Sequence, residues 1–175
     1  MNTFYMVEMD YTGKHTERAE YDDFYQHHID MLLTVDGFQG AQRFEATHET
    51  RAPFLAIYKV AEPGVMTGPS YTSKAGRNSV APEFKAKMIN WDRNLVQTDQ
   101  DLEVPMGGWL VLIDRLTDDA PPLPAGFTPL KVVGLDETIK QRGAKIGASG
   151  EPSVPKEEKG WIVRHLKPLH ARRRP

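Results

Sequence analysis

The sequence predicts an α+β protein whose elements follow one another as β-α-β-β-α-β. Three observations predict it. A strand pattern at the N-terminus leads into one long amphipathic helix; two apolar strand patterns come next, with only the short segment HETRA between them; and a proline opens a further helical stretch.

The first strand is TFYMVEMDY (3–11). Tyr5, Val7 and Met9 point one way and Phe4 and Met6 the other, so both faces are apolar and the strand reads as central. TGKHT (12–16) is a loop with a turn glycine, and Thr16 is placed to cap the first helix. That helix spans Glu17 to Val35. At ~100° per residue, Tyr21, Phe24, Tyr25, His28, Met31, Leu32 and Val35 share one face, with Asp22, Asp23, Gln26 and Asp30 mostly off it. Gly37 suits a left-handed cap after Asp36.

FQGAQRFEAT (38–47) and PFLAIYKVA (53–61) are two strands, and Glu62-Pro63-Gly64 closes the second. Residues 64–80 are an irregular loop around one helical turn. A second helix starts at Pro82 and carries Phe84, Met88, Ile89 and Trp91 on an apolar stripe. WDRNLVQT (91–98) is a short closing strand, and 99–108 a connector.

These elements make a first unit, 1–107, which a C-terminal extension of extra strands, 108–175, completes as one domain. In the extension GWLVLIDRL (108–116) is the strongest strand pattern, 118–126 a proline-rich loop, 127–135 a short strand, 136–147 a short helix weakened by Gly143, 148–160 a mobile polar segment and 160–169 a last strand. The tail 170–175 is basic and loose. Phe4-Tyr5-Met6-Val7 and Trp109-Leu110-Val111-Leu112 echo one another, so the extension also reads as a degenerate second half.

Bulk properties narrow the function. The 175 residues suffice for one domain with a core. A net charge of −2 argues against nucleic acid as a partner, and no apolar run approaches the ~18 residues of a membrane span. With no cysteine, a disulfide framework, a thiolate zinc site and a cysteine nucleophile are excluded. No export signal precedes the first strand, so the expected location is cytoplasmic. Two helices cover only one face of an apolar sheet, so a homodimer is expected, a partner sheet covering the other; the alternative is that 108–169 cover that face within the chain.

The β-α-β-β-α order followed by another strand is that of ferredoxin-like sheets. The stretch Phe24-Tyr25-Gln26-His27-His28-Ile29-Asp30-Met31-Leu32-Leu33-Thr34-Val35-Asp36-Gly37-Phe38, with Ala41-Gln42-Arg43-Phe44 after it and Ala56-Ile57-Tyr58-Lys59-Val60 beyond, resembles the EthD-like members of the dimeric α/β-barrel superfamily. There a histidine sits late in the first helix, and a Gly-Phe turn leads into the second strand. The usual proline soon after that histidine is missing here, where the chain reads Ile29-Asp30-Met31. The resemblance covers roughly the first 100 residues and implies lyase, isomerase, cyclase or monooxygenase chemistry on a small organic compound.

His28 is the leading candidate for chemistry. It falls at the centre of the helix's apolar stripe, where an imidazole titrating near neutrality acts as general acid or base, or where a core histidine bonds a backbone carbonyl. His27 projects to the flank. Tyr58 and Arg43 are its candidate catalytic partners: a buried phenol can orient a substrate oxygen, and Arg43 can hold a carboxylate or pair with Glu45. Tyr5, Phe24, Tyr25 and Trp91 are candidate substrate-binding residues, each with core packing as the alternative. Trp91-Asp92-Arg93 forms part of a pocket wall or packs a helix terminus. Asp114 and His165 lie in apolar strands and need partners if buried.

There is no metal-ligand spacing, no Gly-x-Gly-x-x-Gly and no Walker loop, so no cofactor is expected. The expectation is a cofactor-independent enzyme of lyase, isomerase or cyclase type, doing acid/base chemistry on a small aromatic or polyketide-like compound. The alternatives are a non-catalytic ligand-binding or accessory protein, and a haem-binding or monooxygenase relative.

Overall fold

The structure, a computed structural model, describes residues 1–76, 79–136, 138–139 and 141–175. Eight strands run through it: β1 (Asn2–Tyr11), β2 (Phe38–Ala46), β3 (Phe54–Val60), β4 (Met88–Thr98), β5 (Trp109–Arg115), β6 (Thr128–Leu135), β7 (Gln141–Gly147) and β8 (Trp161–Pro168). They close into one barrel in the order β1-β3-β2-β8-β5-β7-β6-β4. Every pairing is antiparallel. Helix is sparse: α1 (Arg18–Leu33), α2 (Pro69–Lys74) and α3 (Pro82–Lys85), with 3-10 turns at His15–Glu17 and Pro63–Thr67.

This overturns the expected fold. The chain is a closed eight-stranded antiparallel β-barrel with few helices, not a ferredoxin-like β-α-β-β-α-β sheet that forms an α/β barrel with a second copy. The cause is the cover found by the second apolar face. Phe4, Met6, Leu55 and Ile57 pack against Leu110, Leu112, Leu130 and Leu166 of the same chain. That contact removes the reason for which a partner sheet was expected.

Local differences have local causes. The second helix shrinks to the single turn of α3 because Met88 and Trp91 already belong to β4. Asn90, at the strand's entry, sits at φ 52° and donates to Arg51 O at 2.7 Å. Much of 136–147, expected as a helix, is strand β7, whose Arg142 and Ala144 are fully buried; Glu137 and Lys140 lie outside the described residues. Thr16 does not cap α1. Glu17 occupies the cap position, accepts from Lys14 N–H at 2.9 Å and pairs with Lys87 at 3.0 Å.

Numbering the strands shows a regularity. The first four stand as β4-β1-β3-β2, and the last four as β8-β5-β7-β6. The stretches that echo one another in sequence, Phe4–Val7 and Trp109–Leu112, lie in β1 and β5, which hold corresponding places.

The interior has two layers. Phe4, Met6, Val96, Leu110, Leu112, Ala144 and Leu166 fill one. Two residues further along β1 and β5, Glu8 and Asp114 replace the apolar side chains. Arg142 donates to Asp114 Oδ1 at 2.7 Å, to Asn94 Oδ1 at 2.6 Å and to Glu8. Arg164 donates to Glu8 Oε2 at 2.7 Å, to Asp114 and to Ala52 O at 3.0 Å. Asp114 thus has the partners that its burial demands. His165, on the outer side of β8, has its Nδ1 at 2.9 Å from Thr47 Oγ1.

The two outer sides of the barrel differ. α1 covers the side formed by β1, β3 and the neighbouring strands, where Tyr21, Tyr25, Ile29 and Leu32 pack on Tyr5, Ala56 and Tyr58. On the other side Trp109, Val111, Ile113 and Val163 are covered by Leu123, Phe127 and Trp161 rather than by a helix. The covering loops are pinned: Trp161 Nε1 donates to Pro121 O at 2.9 Å and Trp109 Nε1 to Ser149 O at 3.1 Å. Trp109 crosses its partner Gly147, where a Cβ would sit 2.2 Å from the ring.

The tail, expected to be loose, bonds along its length. Arg173 pairs with Ala41 through the backbone and reaches Asp30 and Gln26 of α1, and Arg172 meets Asp101 at 2.6 Å.

The buried charges set an acid limit. The Arg142 and Arg164 guanidiniums outweigh the cost of burial and hold the Glu8 carboxyl at about 2, below its ordinary 4.5. A carboxyl whose pKa is depressed by folding stabilises above its unfolded pKa and loses that stability as pH falls toward the folded one. Stability should therefore drop between about pH 4.5 and about pH 2 through this group. Glu8→Gln should cost about 3–5 kcal/mol at neutral pH in urea unfolding and flatten that acid limb, because it leaves two guanidiniums facing one carboxylate.

Candidate active site beneath helix α1

The site starts from the outward residues of β1. Tyr5 and Val7 face the underside of α1, and β4 sets Leu95 opposite Tyr5 and Arg93 opposite Val7. From α1 come Phe24, Tyr25, His28 and Leu32, spaced so that one helical stripe meets the sheet. α2 contributes Tyr71, and β4 contributes Met88 and Trp91. Together with Gly76 and Val80 these residues line a narrow cavity of about 20 Å³, room for one water-sized molecule.

Five of the seven residues expected from sequence therefore meet at one place: His28, Tyr5, Phe24, Tyr25 and Trp91. Tyr58 and Arg43 stand behind it. Tyr58 stacks on Tyr5 with centroids 5.5 Å apart, and its buried hydroxyl has no hydrogen-bond partner among the described residues. Burial pushes the Tyr58 phenol well above its ordinary pKa. Arg43 does not reach the cavity. Its guanidinium lies 4.3 Å from the Tyr25 ring centroid and donates to Asp22 Oδ1 at 3.0 Å. Glu45, the partner expected for it, is taken by Arg18 through two bonds of 2.9 Å.

His28 is half-buried, stacked on Phe24 at 5.8 Å and edge-on to Tyr25 at 5.9 Å. Among the described residues neither ring nitrogen has a hydrogen-bond partner. Burial away from water pushes its pKa down to about 4. This corrects the expected titration near neutrality: no charge partner offsets the desolvation, so the ring is neutral at pH 7. His27 lies on the flank as expected, its Nδ1 2.9 Å from Asp23 O.

One aromatic residue of the wall is not evident from the sequence pattern. Tyr71 stacks parallel to Phe38 at 6.1 Å and edge-on to Tyr5 at 6.3 Å. Its one signal in sequence is that it is the lone aromatic in the irregular stretch 64–80. Of Trp91-Asp92-Arg93, expected to form part of a pocket wall or to pack a helix terminus, Trp91 lines the cavity, whereas Arg93 stands beside it on the same face of the sheet, opposite Val7. Among the described residues no group of three or more His, Asp or Glu side chains could hold a metal ion, and no helix is long and apolar enough to cross a membrane.

The lowered His28 pKa can be checked directly. A histidine whose pKa falls on folding is protonated first in the unfolded chain, so stability falls as pH drops from about 6.5 toward about 4. An imidazole titration by NMR should place the His28 midpoint near 4, and His28→Gln should remove that part of the acid loss; a midpoint near 6.5 would contradict the burial argument.

No protein-family model matches the chain, and no curated protein matches it. Solved structures do. One is described as "Crystal structure study of anthrone oxidase-like protein", with a TM-score of 0.57, 8% identity and coverage of 98% of this chain and 93% of that one. Another is described as a "putative monooxygenase from Lactobacillus acidophilus NCFM", with a TM-score of 0.53, 9% identity and coverage of 96% and 94%. At such identities the likeness is one of fold: this chain shares the architecture of both along nearly its whole length.

Proposed function

We propose that the chain is an enzyme acting on a small aromatic or polyketide-like compound, with His28 as its acid/base group. One observation carries the reading: a neutral imidazole without a hydrogen-bond partner among the described residues lines a cavity walled by Tyr5, Phe24, Tyr25, Tyr71 and Trp91. A histidine buried for packing usually bonds its ring N–H to a nearby carbonyl; half-buried His28 makes no such bond to the described residues, and its nitrogens stay open to a ligand. A neutral ring can take a proton from an acidic O–H or C–H. The anion so formed, held beside the new imidazolium, restores the pKa that burial took away. The wall offers aromatic faces for stacking and phenols for an oxygen. A ring-sized ligand exceeds the present cavity, so its entry requires the half-buried Phe24 or Trp91 to swing aside.

The two structures of like fold support an oxidative form of the same reading, through the words oxidase-like and monooxygenase in their descriptions. Proton removal by His28 would then leave an electron-rich carbanion for dioxygen to oxidise. The EthD-like resemblance of residues 24–38 is compatible with either form.

The test is a thermal-shift screen of hydroxylated aromatic compounds, followed by turnover of the hits with and without dioxygen. His28→Ala should lower kcat roughly 10²–10⁴-fold. It should change stability by only about 1 kcal/mol, since no hydrogen bond to a described residue is lost. His27→Ala should leave both unchanged. A stable His28→Ala protein with full turnover would remove the assignment, and hits that bind without turnover would assign a binding role instead.

A further inference from the structure

We propose that Arg93 is a positioning residue for this cavity, acting through Tyr5 to make the Tyr5 end the place where a ligand carries negative charge. The inference rests on the acid/base reading of His28 and narrows its substrate class to phenols and enols bound as their anions.

Arg93 is opposite Val7 in the β1–β4 pairing, so its side chain leaves the sheet on the same face as Tyr5, which sits diagonally across from it. Its side chain is 18% exposed, and its Nε is buried with no hydrogen-bond partner among the described residues. Asp136 is its counter-ion. Asp136 Oδ1 stands 3.5 Å from Nη2, while Asp136 Oδ2 accepts from the Arg93 backbone N–H at 3.1 Å. A half-buried guanidinium with a spare N–H is a cation that can still stabilise an anion.

The groups facing Tyr5 show how that charge is passed on. Tyr71 comes from α2, Tyr25 from α1, Tyr58 from β3 and Arg93 from β4. Burial and the neighbouring phenols push the Tyr5 phenol up; Arg93 is the group that pulls it down. Tyr5 therefore stays protonated at neutral pH and donates, and the guanidinium behind it strengthens that donation. At the other wall His28 is neutral and accepts. With the pKa of the His28 ring held at about 4, an acidic phenol or enol is the ligand that can pass its O–H proton to an imidazole nitrogen of His28. The O–H bond breaks, an N–H bond forms, and the oxyanion is left against Tyr5 Oη–H. A carboxylate, already ionised, would bring no proton for His28, and a hydrocarbon would leave both groups unused.

The probe is a chromophoric nitrophenol, whose anion absorbs at longer wavelength than the neutral form. Bound to the wild-type protein, it should show its anion band at a lower pH than when free. Arg93→Gln should raise the apparent pKa of the bound probe by about one unit, a roughly tenfold loss of affinity for the anion, and Arg93→Lys should restore much of it. Methylating the probe's oxygen should make binding insensitive to position 93. Should Arg93→Gln not fold, Asp136→Asn carries the test, since removing the counter-charge should lower the bound probe's pKa further. A folded Arg93→Gln that binds with an unchanged pKa, or an unchanged pKa in Asp136→Asn, overturns the role of Arg93 and leaves the aromatic-binding reading standing. A wild-type protein that binds neither nitrophenol nor its methyl ether overturns both.

Discussion

Four charges buried inside the barrel hold its two halves in one arrangement. Glu8 and Asp114 face Arg142 and Arg164, with Asn94 filling a remaining donor, and the five residues come from β1, β4, β5, β7 and β8. Taken singly, each charge would be too costly to bury; taken together they sum to zero, and nearly every donor has an acceptor. Arginine suits the task because its fork reaches two carboxylates at once, which a lysine ammonium does less well. The network tolerates little sliding of one strand on the next, since a one-residue shift would send a charge to the outer side and bring an apolar residue in. Register is thus specified even where the seams are short, as between β2 and β8, which share three residue pairs.

With the interior full, the chemistry moves outside the barrel, under α1. Ionic contacts tie that helix to the sheet and the tail: Arg18 to Glu45, Asp22 to Arg43, and Asp30 to Arg173. The more exposed of these pairs contribute little stability each. Their value here is placement, because they set the height and rotation of the helix that presents Phe24 and His28. Arg43 illustrates the division of labour. It was expected to meet a substrate; instead its side chain, 3% exposed, spreads over Tyr25 and Tyr21 and bonds α1.

Much of the cavity was legible because one helix and one strand carry it, and their periods expose which residues share a face. Tyr5, Phe24, Tyr25 and His28 needed only that arithmetic. The barrel was not legible for the opposite reason. Its closure depends on pairings such as β4 with β6 and β2 with β8, which join residues far apart in the chain and leave no local pattern. Two apolar faces on β1 were consistent with a second copy or with the rest of the same chain; only the tertiary pairing decides. One local signal of the barrel does exist: β1 continues Phe4, Met6 with Glu8, and β5 continues Leu110, Leu112 with Asp114. Acids recurring at the same inward position of two strands require arginines at that level of a third and fourth.

The aromatic residues are sorted between the outer sides of the wall. All six tyrosines lie in the cluster beneath α1, Tyr11 at its edge, whereas Trp109 and Trp161 belong to the loop-covered side and only Trp91 joins the tyrosines. The molecule therefore carries separate intrinsic optical labels on opposite surfaces. Phenol absorbance and transfer of excitation to Trp91 report on the cavity, while indole emission from Trp109 and Trp161 reports on the loops, so the two sides can be watched apart without any added dye.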